Sequence, residues 1–359
     1  LHSSQDAKRE GGVNRIDPCI KEALLYRKID EKVKCICCER SCEILPGGYG
    51  FCGTRKNMGG KLYTLEYGDI SSLSANPIEK KPFFHFYPGS RALTVGSWSC
   101  NFTCPWCQNW EISKCLPDPD RRDYLPPENF VRLLKERKCQ GTSISFNEPT
   151  LLFEYALDVF DLARREKFYN TYVTNGYMSS ETLRSLIAHG LDAINFDVKG
   201  DAGVVKKYCN ADVEKVWRNI KEARKLGVHV EITTLLIPGL DDDDESLKRI
   251  ARKIREIGDY IPWHITRYHP AYKAFEVGFD RRTPIETLER AWKIGKGEGL
   301  SYVYIGNVPG HRYENTYCPS CGELLIKRLG YDIIAYKISK EKRCPRCGKG
   351  IPIVGEYVE

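Results

Sequence analysis

Between residues 89 and 310 the chain alternates short apolar or β-branched runs with amphipathic stretches. The runs are ALTVGSW, TSISF, NTYVTN, DAINFDV, HVEITTLLI, WHITRY and YVYIGN, all of strand length. In the intervening TLLFEYALDVFDLARREK, Leu151, Leu152, Tyr155, Ala156, Val159 and Phe160 recur every three to four positions and predict one apolar helix face. DDDDESLKRIARKIREIG places acids in its first turn and bases later, as the helix dipole prefers. Strands alternating with helices predict an α/β fold with a parallel sheet and helical crossovers. The six or seven repeats carry no Gly-rich dinucleotide fingerprint, which favours a partial TIM-like (β/α)6 barrel over an open doubly wound sheet.

Polar and special-geometry residues recur where these runs end. Cys100 follows the first, Asn147-Glu148-Pro149 the second and Thr174-Asn175-Gly176 the third. Asp197 and Lys199 lie on the fourth, Pro238-Gly239 ends the fifth, and the sixth bears His264, Arg267 and His269. Any one of these is an ordinary turn signal. Their repetition at the strand ends, where barrels carry their chemistry, predicts a site.

Cysteine usage divides the chain further. A polar tail (1–18) is followed by a Cys-rich module (19–88), the barrel (89–310) and a small module (311–359). Sixteen cysteines in a chain of 359 residues, many paired as C-x2-C and with no charged-then-apolar leader, read as metal ligands in a reducing cytoplasm. The net charge of +7 is mild and dispersed, so nucleic-acid binding is not indicated. The apolar runs are too short to span a membrane. Cys318-x2-Cys321 and Cys344-x2-Cys347, each followed by glycine, predict a zinc-ribbon or rubredoxin-like site for zinc or iron. That site is either a staple for the tail or a lid beside the barrel mouth. Cys35-x2-Cys38-x3-Cys42 with Cys52 is a candidate second zinc site, since the ferredoxin spacing is absent. Cys37 reads as incidental, and Cys19, Cys115, Cys139 and Cys209 as buried thiols. Cys100-x3-Cys104-x2-Cys107 supplies only three thiolates. Either Cys115 completes a zinc site, or the three hold an iron–sulfur cubane with one iron open to an exogenous ligand.

C-x3-C-x2-C directly after the first strand resembles the signature of radical S-adenosylmethionine (SAM) enzymes. The resemblance implies a [4Fe-4S] cluster on Cys100, Cys104 and Cys107, with its unique iron chelated by the amino and carboxylate groups of SAM. One electron then cleaves the sulfonium to methionine and a hydrogen-abstracting 5′-deoxyadenosyl radical. By the same resemblance Glu148 of SFNEP, where the family often has Gly-Gly-Glu, bonds the methionine ammonium, and Asn147, in place of a glycine, counts with it among the cofactor contacts. Trp106 packs near the adenine, and Asn175 lies near the ribose or carboxylate. Asp197 and Lys199 of FDVKG, similar to an Asp-x-Lys element of glycyl-radical activases, hold the methionine end, and His264 reaches the adenosine.

The runs NPIEKKPFFHFYPGS, CNFTCPWCQNWEIS, PWHITRYHPAY and YIGNVPG, with a cysteine pair after ENTY, resemble the radical enzyme of the AmmeMemoRadiSam group, from about Cys35 to Gly355. That group is related to the activases of pyruvate formate-lyase, which abstract hydrogen from a glycine of a partner protein. The likeness implies a macromolecular substrate, a protein of the Amme or Memo type, and an electron donor for the cluster. Two alternatives stand beside it: modification of RNA gripped by the basic ribbon, and a non-catalytic adaptor whose eleven clustered cysteines all hold zinc.

Overall fold

The computed structural model describes residues 17–359. The tail predicted over residues 1–18 lies outside the described residues except for Asp17 and Pro18. An eight-stranded sheet runs through the centre, in the order β1 (Ser72–Pro77), β2 (Arg91–Gly96), β3 (Gly141–Ile144), β4 (Tyr169–Thr174), β5 (Ala193–Asp197), β6 (His229–Leu236), β7 (Trp263–Arg267) and β8 (Val303–Gly306). Strand β1 is antiparallel to β2, and every later neighbour is parallel. The parallel strands are the seven apolar runs read from the sequence, one more than the (β/α)6 label counts. No ladder joins β8 to β1 among the described residues. Strand β1 escapes a pattern search because SLSANP has little apolar content. It is an edge strand, and its terminal Pro77 sits where a missing N–H is tolerated.

Helices make the crossovers. Phe153–Arg165 links β3 to β4 and buries Phe153, Ala156, Val159, Phe160 and Ala163. Asp244–Ile257 links β6 to β7. Its N-cap Asp243 accepts from the Ser246 N–H, and its buried stripe is Leu247, Ile250, Ala251 and Ile254. Strands taken in sequence order with helical returns bring all seven C-terminal ends to one edge of the sheet.

The flanking modules are fastened to this body. Residues 21–64 fold into two small antiparallel sheets, tied to the helix Phe153–Arg165 by a buried ion pair between Arg55 and Glu154 at 2.6 Å. Residues 72–87 lie within the Cys-rich module drawn from the sequence, yet they supply strand β1 and the buried Phe83, Phe84 and Phe86. The C-terminal hairpin β9 (Leu324–Leu329) and β10 (Asp332–Tyr336) shares its core with the sheet: Leu325, Ile326, Ile351 and Ile353 pack with Phe84, Tyr302 and Tyr304. A tail of this size cannot bury enough apolar surface alone, so it borrows the body's.

Candidate active site

The strand ends open on a cavity of ≈ 400 Å³ lined by Cys100, Cys104, Cys107, Trp106, Asn147, Glu148, Asn175, Asp197 and Lys199. Residues drawn from the first four parallel strands and the loops that follow them therefore converge on one space. A larger hollow of ≈ 770 Å³ lies by the strand starts at Tyr169 and His229, but no cysteine lines it.

The cysteine loop is held from behind. Ser99 adopts left-handed backbone (φ 64°) and so does Phe146 (φ 73°), conformations that cost a non-glycine residue about 1–2 kcal/mol. The Asn147 side chain offsets this. Its Oδ1 accepts from the Ser97 N–H at 3.0 Å, and its Nδ2 donates to Ser97 Oγ, Trp98 O and Ser99 O at 3.1, 3.1 and 3.0 Å. The amide is thereby committed to positioning the loop, a different task from the cofactor contact expected of Asn147. Within the loop, the Phe102 N–H donates to Cys100 Sγ at 3.4 Å, and Cys107 Sγ lies 3.0 Å from Ser113 Oγ.

Glu148 is buried, and its carboxylate gathers donors. Oε1 accepts from Thr150 and from Thr174 Oγ1 at 2.7 Å, while Oε2 accepts from the Asn175 N–H at 2.9 Å. Burial raises its pKa, and these hydrogen bonds pull against the rise. Oε2 keeps a lone pair free for one further donor. Asn175 Nδ2 donates to Asn101 Oδ1 at 2.7 Å beside Cys100 Sγ at 3.9 Å. Asp197 and Lys199 form an ion pair. Burial alone would depress the Lys199 ammonium, but Asp197 and the Cys104 and Cys107 sulfurs raise it overall. The Cys209 thiol, 3.4 Å from Cys104 Sγ, favours the Cys104 thiolate; burial opposes this, Lys199 and Lys114 assist, and the pKa falls to about 7. Burial pushes Cys100 up to about 12. Trp106 is packed between Tyr208 and Phe279.

His264 is not at this cavity. It is the second residue of β7, and its Nε2 lies 2.6 Å from Glu231 Oε2. Glu231 also accepts the backbone N–H groups of Phe84 and His85, and the His264 ring meets Phe84 edge-on at 4.7 Å. The expected adenosine contact is corrected accordingly: His264 sits at the start of its strand and is spent on a buried carboxylate. Cys115 is exposed rather than buried, whereas Cys19, Cys139 and Cys209 are buried as expected.

Sequence reasoning missed Cys209, Asn101, Asn195, Thr233, Lys81 and Tyr331. Asn195, Thr233, Lys81 and Tyr331 line the cavity; Lys81 stands in the quoted run NPIEKKPFFHFYPGS without a role assigned to it. Burial, with Lys80 adding to it, lowers the Lys81 ammonium to about 7.

The residues fit the group that the cysteine spacing calls for. Trp106 Nε1, Asn195 Oδ1, Asp197 Oδ1 and Thr233 Oγ1 are buried around the cavity without a protein partner, an arrangement that folded proteins avoid unless a ligand completes it. Three thiolates from one loop, beside a cation, an anion and unpaired polar atoms, suit a cluster with one open iron and a zwitterionic ligand.

At the other end of the chain the four sulfurs of Cys318, Cys321, Cys344 and Cys347 lie within 4.8 Å of one another, with Cys318–Cys347 at 3.5 Å and Cys321–Cys344 at 3.7 Å. Left-handed Gly322 and Gly348 make the two knuckles (φ 72° and 73°). This set can hold a metal ion.

Parallel strands in sequence order, with three thiolates and an amino-acid-sized polar cradle at their C-terminal ends, define an enzyme that works through an iron–sulfur cluster. The profile of the Radical SAM superfamily matches residues 98–254, and the chain belongs to that superfamily. It is 44% identical over 338 residues to an uncharacterized protein of Methanocaldococcus jannaschii, covering 93% of this chain and 100% of that one. It is 25% identical over 198 residues to a probable GTP 3′,8-cyclase of Pyrobaculum aerophilum (53% of this chain, 61% of that one). It is 26% identical over 140 residues to the isethionate sulfite-lyase activating enzyme of Nitratidesulfovibrio vulgaris (38% and 45%). Among the described residues no helix is long and apolar enough to cross a membrane.

Proposed function

We propose that this radical SAM enzyme abstracts hydrogen from a residue of a partner protein, with the sheet acting as a partial barrel around the cofactor. When bound, the [4Fe-4S] cluster and SAM supply reductive cleavage of the sulfonium and a carbon-centred oxidant. Cys100, Cys104 and Cys107 would hold the cluster. Glu148 Oε2 offers its remaining lone pair to the methionine ammonium, and Lys199, anchored by Asp197, faces the carboxylate. Trp106 and the unpaired Asn195 and Thr233 are placed to take the nucleoside.

The observation that carries the protein-substrate reading is the size of the cavity. At ≈ 400 Å³ it is near the lower end of what one small-molecule ligand occupies, so the cofactors fill it and leave no chamber for a second free metabolite. A substrate that arrives as a projecting group from outside suits this arrangement. Tyr331, at the tip of the β9–β10 hairpin, lines the same cavity, so the C-terminal module overhangs the entrance. Trp110, Phe275, Val277, Leu329 and Tyr331 are exposed apolar side chains, and Tyr331 among them lines the cavity. Zinc in the four-cysteine site would hold that hairpin in place, since the short sulfur separations match a tetrahedral ion with Zn–S bonds of about 2.3 Å.

The likeness to an activating enzyme supports a protein substrate, and the AmmeMemoRadiSam resemblance makes Amme-type and Memo-type proteins the first partners to try. The test is an anaerobic reaction of the dithionite-reduced holoenzyme with SAM and those proteins, followed by 5′-deoxyadenosine quantitation and intact-mass analysis. Product formation that no protein partner stimulates, with a metabolite or RNA modified instead, would overturn the reading.

A further inference from the structure

The N-terminal cysteines form a second thiolate chamber that the proposed reaction does not use. Cys35 ends the strand Lys32–Cys35, Cys38 and Cys42 lie between it and the strand Glu43–Ile44, and Cys52 precedes the strand Arg55–Met58. These four residues, with Arg55 and Asn101, line one small space of ≈ 20 Å³.

The chain carries its own ruler for what such a chamber holds. Tetrahedral zinc with Zn–S bonds of about 2.3 Å needs its sulfurs roughly 3.8 Å apart, and the C-terminal set meets that with contacts of 3.5 and 3.7 Å. Among the described residues, no other group of three metal-ligating side chains lies within 4.8 Å of one another. Cys35, Cys38, Cys42 and Cys52 do not stand gathered in that way. The triad Cys100, Cys104 and Cys107 fails the same criterion, and it is the set that takes a cubane. A cubane interposes an iron between each thiolate and the centre of the core, so its thiolates must stand apart.

Donors also face these sulfurs. The Phe51 N–H reaches Cys42 Sγ at 3.4 Å and Thr54 Oγ1 reaches Cys52 Sγ at 3.3 Å. Asn101 is fully buried, and its Nδ2 has no hydrogen-bond partner. Hydrogen bonds to sulfur are how a protein stabilises and tunes a buried cluster.

We propose that Cys35, Cys38, Cys42 and Cys52 hold a second iron–sulfur cluster, a [4Fe-4S] centre with all four irons ligated by protein, in place of the zinc expected from their sequence. The comparison with the triad rests on the radical SAM reading; the contrast with the C-terminal set does not. Asn101 follows the catalytic ligand Cys100 and touches Asn175 at 2.7 Å, so one residue separates the two thiolate sets.

The test uses the full chain, reconstituted anaerobically with iron and sulfide, and a C100A/C104A/C107A variant lacking the catalytic ligands. The variant should retain about four iron and four acid-labile sulfide per chain, half the wild-type content, with the visible absorbance of a cubane. Adding C38S and C42S should remove that sulfide. A triple variant that contains zinc and no sulfide overturns the proposal. Should the five-fold variant fail to fold, the sulfide content and reduced-state EPR signal of the triple variant decide alone. Wild-type protein that makes no 5′-deoxyadenosine while the triple variant keeps its cluster would count against the proposed reaction and leave this site standing.

Discussion

Asn147 grips Ser97 from two directions, accepting from its backbone N–H at 3.0 Å and donating to its hydroxyl at 3.1 Å. The same amide reaches the carbonyls of Trp98 and Ser99, so the end of β3 sets the path on which Cys100 leaves β2. Asn147→Ala would leave a buried N–H and three carbonyl or hydroxyl acceptors unpaired, at a cost of about 2–4 kcal/mol. The expected result is a lower melting temperature together with sub-stoichiometric catalytic-cluster iron. Full cluster loading in the variant would show that the loop holds itself.

Glu148→Gln retains the volume but replaces one acceptor oxygen by an NH2 group that faces the donors of Thr174 or Asn175. SAM affinity should fall tenfold or more, read by equilibrium binding to the cluster-loaded protein, since a charge-assisted hydrogen bond is worth about 1.5–3 kcal/mol. Unchanged affinity would remove Glu148 from the ammonium site.

His264→Phe separates the two tasks that were merged in the sequence. It leaves Glu231 buried with a hydrogen-bond partner missing, and stability should drop by about 1.5–3 kcal/mol in urea denaturation. SAM affinity of the folded fraction should match wild type. A selective loss of SAM binding at unaltered stability would return His264 to the cofactor.

Lys81 should leave a pH signature in the cofactor-free protein. Its folded pKa, about 7, lies below that of an unfolded lysine, so folding releases its proton. The stability linked to it is present above the unfolded pKa and is lost as pH falls through about 7. Lys81→Met should therefore stabilise the protein at pH 6, by on the order of 3–5 kcal/mol, and have little effect near pH 10.5. A difference that does not change across a pH series of denaturation curves would contradict the assignment.

Cys344→Ser should empty the four-cysteine site and loosen the hairpin while leaving the cubane absorbance intact. Because Leu325 and Ile326 of β9 pack on Tyr302 and Tyr304, limited proteolysis should open residues 311–359 and spare the sheet. If the zinc reading is correct, metal analysis finds one zinc fewer per chain.

The seven parallel strands, the two amphipathic helices and the cysteine knuckles were legible because each depends on local spacing. Apolar periodicity states which face is buried, and C-x2-C with a following glycine closes one tight turn. Strand β1 was not legible, since an edge strand needs no apolar pattern of its own. The strand-end residues were legible as a group, because a parallel sheet returned by helices brings its C-terminal ends together whatever the loops contain.

Their individual tasks depended on partners far away in the chain. His264 is bound to Glu231, Asn147 to residues of the preceding strand's exit, and Cys209 to a cysteine over a hundred positions earlier. Sulfur separation is the sharpest case. Each of the three sets of cysteines reads as a metal site from its spacing, yet among the described residues only the C-terminal set draws its sulfurs to the distance of a single ion. The sequence by itself determined the fold class and the presence of thiolate sites, which follow from periodicity and short-range turns. The tertiary structure alone decided which side chains face the cavity and how far apart each set of sulfurs stands, because strand stagger and long-range packing set those distances.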